Sequence, residues 1–207
     1  MKMTFRWYGP DDPVTLDMIR QIPGVTGVVT AVYSVPVGEV WPVEEIQKLK
    51  DMVNAKGLEM EVIESVPVHE DIKLGTGDCE RYIENYKENI RRLAAVGVKC
   101  ICYNFMPVFD WTRSRLDQPL PDGSQALVYY KEDVAKMDPT KLALPGWDSS
   151  YTTDEMAALI DAYKKLGEEG LWKNLEHFIK EIMPVAVESD VYMGIHPDDP
   201  PWSIFGI

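Results

Sequence analysis

Residues 25–66 read VTGVVTAVYSVPVGEVWPVEEIQKLKDMVNAKGLEMEVIESV, and this stretch decides the fold. It opens on a β-branched run, Val25–Tyr33, that ends near Pro36, and closes on a second run, Leu58–Val66, that stops at Pro67. Short runs rich in Val, Ile and Tyr, each closed by a breaker, read as strands. Between them Pro42 can occupy the first helical turn, where its missing N–H costs nothing. Glu44 and Glu45 suit the positive end of the helix dipole. Ile46, Leu49 and Val53 make an i, i+3, i+7 stripe, and Gly57 closes the helix. Strand, helix and strand in immediate succession form the unit of a parallel sheet.

The same alternation extends in both directions. Met3–Tyr8 is a strand-like run that stops at Gly9-Pro10, and Leu16, Ile19 and Ile22 give residues 15–21 the spacing of a short helix. Asp78 is placed to cap a helix with Tyr82, Tyr86, Ile90 and Leu93 on one face and Gly97 at its end. Val98–Phe105 is the fourth strand run and Val191–Ile195 the fifth. Thr152 and Glu155 have capping-box spacing. A helix follows over about 153–166, is interrupted at Gly167 and Gly170, and resumes through Phe178 and Ile182 to a kink or end at Pro184. The predicted class is α/β with five strands, either an open doubly wound sheet or part of a barrel. No G-x-G-x-x-G follows the first strand and no P-loop appears.

One connection is too long. Residues 107–150 are rich in Pro, Asp, Gly and aromatics, among them Phe109, Trp111, Tyr129, Tyr130 and Trp147. Such loops are functional or disordered, and the aromatics favour an ordered flap over the C-terminal ends of the strands, with a short helix within 125–137. A packing or oligomer-contact insertion is the competing reading. The whole of 1–207 is expected to be one domain carrying this insertion.

The chain has 207 residues, with 34 acidic and 21 basic side chains and a formal charge of −13. That excess argues against nucleic acid as a partner, because such binders need a basic footprint. No apolar run reaches the roughly 18 residues of a membrane span, and the start of the chain lacks an apolar signal-peptide core. Three cysteines, Cys79, Cys100 and Cys102, are an odd count without a disulfide framework, which favours a reducing, cytoplasmic setting. Cys100 and Cys102 would share one face of a strand as buried free thiols.

In parallel α/β folds the C-terminal ends of the strands carry the chemistry. The residues expected there are Arg6, Trp7 and Tyr8 from the first strand, and Glu64 and then His69 from the third. The fourth delivers Tyr103 and Asn104, followed by Trp111 and Arg113; the fifth delivers His196, followed by Asp198 and Asp199. His196 is the candidate metal ligand, since neutral imidazole binds Mn, Fe and Zn. His69 either holds a substrate hydroxyl and acts as acid or base, or is a loop histidine bonded to backbone. Asn104 either bonds a hydroxyl or carboxylate, or caps a turn. Trp111 is a sugar-stacking platform or a packing residue. Arg6 and Arg113 neutralise a carboxylate or form surface ion pairs. Asp198 and Asp199 orient ligands or make a turn. His177 falls inside a helix, as a surface or packing residue.

Three motifs then stand together: M-x-F-R-W-Y-G at Met3–Gly9, Y-N-F-M-P-V-F-D-W-T-R at Tyr103–Arg113, and G-I-H-P-D-D-P-P-W at Gly194–Trp202. In combination they resemble mannonate dehydratase, and the resemblance runs from Met1 to Ile207. It implies a TIM (β/α)8 barrel of the xylose-isomerase-like group, with about five βα units in this chain and the long insertion after strand four. It implies a lyase that dehydrates D-mannonate to 2-keto-3-deoxy-D-gluconate in hexuronate catabolism, using Mn²⁺ or Fe²⁺. It also implies a homodimer or larger assembly. In that family one His at the end of strand five is joined on the metal by a Cys, a His and an Asp from later strands. His196 matches the first, and none of Cys79, Cys100 or Cys102 fits the later Cys. By that resemblance the remaining ligands and most acid/base residues fall beyond Ile207, so the chain is expected to be the N-terminal part of such an enzyme. Trp7, Tyr8, His69, Asn104 and Trp111 would shape its sugar-acid pocket. A sugar isomerase on the same barrel, or a non-catalytic fragment, are the alternatives.

Overall fold

The computed structural model describes residues 1–109, 111–139 and 152–207. In chain order the elements are β1 (Met3–Arg6), α1 (Leu16–Ile19), β2 (Val25–Thr30), α2 (Val43–Asn54), β3 (Glu59–Glu64), α3 (Glu70–Leu74), α4 (Cys79–Ala95), β4 (Cys100–Tyr103), β5 (Arg115–Pro119), β6 (Gln125–Val128), α5 (Lys131–Val134), α6 (Thr153–Glu188) and β7 (Tyr192–Ile195). The residues fall into two compact units: Met1–Asn104 with Asn174–His196, and Phe105–Lys173 with Pro197–Ile207.

The first unit holds a five-stranded sheet in the order β1-β2-β3-β4-β7, with every pair parallel. The order never reverses, whereas a doubly wound sheet reverses at a switch point; the open doubly wound alternative is therefore excluded. Right-handed crossovers between strands added in one direction put their helices on one face. That face is the core. Val28, Ile63 and Ile101 are fully buried, as are Ile46 and Val53 of α2, Ile83, Ile90 and Leu93 of α4, and Phe178 and Ile182 of α6. Phe178 meets Tyr86 and Tyr103 edge-on at ring-centroid distances of 5.0 and 5.7 Å. On the opposite face Cys100 and Cys102 are half-buried free thiols and Tyr192 is exposed, so these cysteines share a face as expected but are less buried than expected. Gly27 lets β2 approach β3, since a Cβ there would lie 2.6 Å from the Glu59 carbonyl oxygen.

Helix α4 also anchors the loop that follows β2. Asn85 Nδ2 donates to the Gly38 carbonyl at 2.8 Å, and Asn89 Nδ2 donates to the Glu39 carbonyl at 3.1 Å. Asn89 Oδ1 accepts the amide of buried Trp41 at 2.7 Å, and Arg92 Nη1 donates to the Trp41 carbonyl at 3.0 Å. A polar stripe on α4 thus satisfies a partly buried loop backbone.

Two helix boundaries differ from expectation. Pro42 is the N-cap of α2 and not its first residue. Pro184 lies inside α6, which runs on to Glu188; the break is at Gly167 (φ 67°, ψ 174°), a left-handed φ that glycine tolerates. The capping box forms, with Thr152 N donating to Glu155 Oε2 at 2.8 Å and Glu155 N donating to Thr152 Oγ1 at 3.3 Å.

In the second unit β5 and β6 make an antiparallel hairpin where the sequence suggested no strand. Asp122 Oδ1 accepts the amide and hydroxyl of Ser124 at 3.0 and 2.7 Å, and Gly123 takes a φ of 84°. The helix expected within 125–137 is confined to Lys131–Val134, because its first residues pair in the hairpin. Residues 197–207 pack within this unit: Trp202 meets Tyr129 at 5.5 Å and Phe205 meets Phe109 at 5.2 Å. Of the expected flap at 107–150, position 110 and positions 140–150, Trp147 included, lie outside the described residues.

Candidate active site at the strand ends

Because all five strands run the same way, Arg6, Thr30, Glu64, Tyr103 and Ile195 end the sheet on one side. Arg6 closes β1. Its Nη1 donates to the Glu64 carbonyl and lies 3.5 Å from Glu64 Oε2. Its guanidinium also stands 4.9 Å from the Tyr8 ring centre. Tyr8 is exposed, and its amide donates to Asp12 Oδ2 at 2.8 Å. Trp7 extends the β1–β2 ladder through its amide to Val29 at 2.9 Å, and only 3% of it is exposed. Trp7 is therefore a packing residue of the core.

Tyr33 joins this group, although sequence reading did not single it out. Burial pushes its phenol up, while the nearby Arg6 guanidinium pulls it down; Tyr8 and Glu64 also act on it. Gly9 allows the ring close, since a Cβ there would sit 3.1 Å from it. The signal for Tyr33 was its place at the end of a β-branched run. Cys102, paired with Glu64 in register, has its thiol pushed up to about 11, first by burial and then by Cys100 and Glu64. The strand ends thus carry one cation, one carboxylate, two phenols and an un-ionised thiol in electrostatic contact.

Asn104 follows β4 directly. Its Oδ1 is buried and accepts no hydrogen bond. A buried acceptor left unpaired costs about 1–3 kcal/mol, which marks the position as built to receive a donor. His196 follows β7, exposed at its end, and its amide donates to the Tyr103 carbonyl at 2.7 Å. Asn104 and His196 are therefore carried on adjacent strands at the same end.

His69 is held elsewhere. It is the N-cap of α3, with Nδ1 accepting the Asp71 amide at 3.1 Å, and its ring stacks on Tyr82 at 3.7 Å. Burial pushes its pKa down, which keeps the ring neutral and the cap intact. Trp111 and Arg113 belong to the second unit. Arg113 stands 5.3 Å from the Trp111 ring centre and makes a fork with Asp199 at 2.9 and 2.8 Å. That pair takes up the charge of both Arg113 and Asp199, while Asp198 is exposed.

His196 offers one imidazole to an ion. Among the described residues the only three His, Cys, Asp or Glu ligand atoms within 4.8 Å of one another belong to Cys79, Glu80 and His177. Mn²⁺ and Fe²⁺ sites need several donors. The side chains present at the strand ends therefore do not make a metal site by themselves.

A family model described as D-mannonate dehydratase (UxuA) matches residues 1–207. A mannonate dehydratase of Streptococcus uberis is 61% identical over 209 residues, covering 100% of this chain and 60% of its own length. One from Oceanobacillus iheyensis is 55% identical, with the same shares covered. The crystal structure of mannonate dehydratase from Streptococcus suis serotype 2 matches with a TM-score of 0.91 at 56% identity, over 100% of this chain and 56% of that one. The chain thus spans somewhat over half the length of the relatives it matches.

Proposed function

Because the chain belongs to the D-mannonate dehydratase (UxuA) family, we propose that it builds part of a sugar-acid pocket in a lyase that converts D-mannonate to 2-keto-3-deoxy-D-gluconate. The observation that carries this reading is the unpaired, buried Asn104 Oδ1 beside His196 at the sheet's C-terminal edge. A polyol acid brings hydroxyl donors to such an acceptor.

The reaction removes the C2 proton and the C3 hydroxyl as water, and the resulting enol becomes the 2-keto acid. In this reading Asn104 Oδ1 accepts from a substrate hydroxyl. Arg6 has more N–H donors than its contacts with Glu64 use, and these face the substrate carboxylate. Tyr8 lies at the rim, beside the Arg6 guanidinium. His69 has Nδ1 committed to the start of α3 and takes no part in the proton transfer. Among the described residues at the strand ends, His196 is the donor that would hold a Mn²⁺ or Fe²⁺ ion, which would supply Lewis-acid stabilisation of the substrate's charge. The unreversed strand order supports reading the sheet as part of a (β/α)8 barrel. No helix among the described residues is long and apolar enough to cross a membrane, and a cytoplasmic homodimer completes the proposal. The family match favours dehydration over sugar isomerisation.

The test is a chimera in which this chain replaces the matching 210 residues of the Streptococcus suis relative. D-Mannonate plus Mn²⁺ should yield a 2-keto-3-deoxy acid by the thiobarbiturate assay. A folded chimera that forms none overturns the reading.

A further inference from the structure

Outside the strand ends, α4 and α6 bring together three side chains of different ligand chemistry. Cys79 and Glu80 open α4, and His177 lies on the part of α6 that belongs to the same unit. The Cys79 thiol, a Glu80 carboxylate oxygen and a His177 ring nitrogen all lie within 4.8 Å of one another. His177 Nε2 and Glu80 Oε1 are already 2.9 Å apart.

We propose that Cys79, Glu80 and His177 form an accessory site for a borderline-soft divalent ion of the Zn²⁺ type, clamping α4 to α6 on the outside of the sheet. Thiolate, imidazole and carboxylate are the donors such an ion prefers, and three protein ligands leave a fourth position for water. With ligand bonds of about 2.0–2.3 Å, a tetrahedral edge is about 3.5 Å. The spacing present closes to that by small side-chain rotations, which are cheap here because Glu80 and His177 are exposed.

The platform under the cluster is fixed. Lys87 Nζ binds Glu181 Oε2 at 2.6 Å, one to two turns farther along both helices. Tyr86 packs edge-on against Phe178, the neighbour of His177. Asn174 Nδ2 donates to the Lys73 carbonyl at 2.8 Å, and Cys79 sits in the first turn of a 17-residue helix. Neither Cys79 nor His177 can drift away from the other while these contacts hold. The site is separate from His196, which closes β7. On binding, the Cys79 thiol releases its proton to solvent and its sulfur lone pair goes to the ion. The hydrogen bond between His177 Nε2 and Glu80 Oε1 would be replaced by two metal bonds, with His177 binding as the neutral ring and keeping its proton on the other nitrogen.

Co²⁺ is the probe, because a thiolate–Co²⁺ bond gives a near-ultraviolet charge-transfer band and tetrahedral Co²⁺ gives intense visible bands. Titration of the reduced chain should raise both bands to one equivalent, and Zn²⁺ should bleach them. Cys79→Ser should abolish the charge-transfer band, and Glu80→Gln or His177→Gln should weaken Co²⁺ binding by about 10-fold or more. His196→Ala should leave the bands unchanged, which separates this site from the proposed active site. Circular dichroism of each variant checks that it is folded. The proposal is overturned if the unaltered chain gives no charge-transfer band, or if the band persists in folded Cys79→Ser, which would move it to Cys100 and Cys102.

Discussion

The amide of His196 donates to the carbonyl of Tyr103 at 2.7 Å, continuing the β4–β7 ladder one residue past the end of the strand. The backbone of His196 is therefore fixed by the sheet, while its imidazole stands exposed. Loss of the side chain leaves the backbone ladder in place. His196→Ala should change unfolding free energy by no more than about 0.5 kcal/mol, the range of ordinary surface substitutions. In the chimera with the Streptococcus suis relative the same change should abolish formation of the 2-keto acid. A denaturant titration and the thiobarbiturate assay on one preparation check both halves. Full activity in a stable His196→Ala chimera removes the imidazole from the site.

Asn104 gives the opposite balance between stability and binding. Its Oδ1 is buried without a partner, so removing it discards a cost of about 1 kcal/mol. Asn104→Ala should leave the thermal midpoint unchanged or slightly raised. The KM for D-mannonate in the chimera should rise about 10-fold, the equivalent of one lost hydrogen bond of about 1.4 kcal/mol. A lower midpoint with unchanged KM would identify Asn104 as a structural cap.

His69 predicts a pH dependence of stability. Burial holds its folded-state pKa below the ordinary 6.5, and its neutral Nδ1 caps α3. Between the folded and unfolded pKa values the unfolded chain binds more protons, so stability rises with pH there. The contribution is fully present above the unfolded value and is lost as pH falls through the folded one. The urea midpoint should therefore fall between about pH 7.5 and pH 5.5, ahead of most carboxylate titration. His69→Asn keeps an acceptor at the N-cap without titrating, and should flatten that segment of the profile. An unchanged slope in His69→Asn would assign the dependence to another group.

Cys102 carries a chemical prediction. With its thiol at about 11, the thiolate fraction at pH 8 is on the order of 100-fold below that of an unperturbed cysteine. The greater nucleophilicity of a more basic thiolate returns roughly a factor of 10. Disulfide exchange with an aromatic disulfide, resolved by peptide, should be on the order of 10-fold slower at Cys102 than in the urea-unfolded chain. Equal rates would mean that neither burial nor Glu64 acts on that sulfur.

What the sequence made legible follows from the range of the interactions involved. β2, α2 and β3 were readable because each is specified by its own neighbours: a β-branched run, an i, i+3, i+7 stripe, and a proline or glycine at the ends. Asn104 and His196 were readable because each directly follows a strand. The β5–β6 hairpin was missed because RLDQP is polar and largely exposed, while QALV is four residues long with its apolar residues in succession and sets no period of two. The one available signal was the Asp122-Gly123 pair at the turn. Tyr33 was missed for a different reason. Its importance comes from the order β1-β2-β3, which brings it beside Arg6 and Glu64, and no local pattern encodes that meeting. For His69 the sequence left a substrate role and a loop histidine bonded to backbone side by side, and the start of α3 takes its Nδ1.

Asn89 tests whether the loop after β2 depends on α4 for its backbone partners. Its Oδ1 holds the amide of Trp41, a residue 2% exposed, and its Nδ2 holds the Glu39 carbonyl. Asn89 is itself only 2% exposed. Replacing it by leucine keeps the branched shape but strips partners from a buried amide and a carbonyl. Each buried group left unsatisfied costs about 1–3 kcal/mol, so Asn89→Leu should lose about 2–4 kcal/mol of stability. Asn89→Asp keeps the acceptor for Trp41 and loses only the donor to Glu39, and should fall between the two. Chemical denaturation of the three proteins checks the order. If Asn89→Leu were as stable as the parent chain, the loop would be held by the packing of Trp41 alone, with water taking the place of Asn89 on its amide.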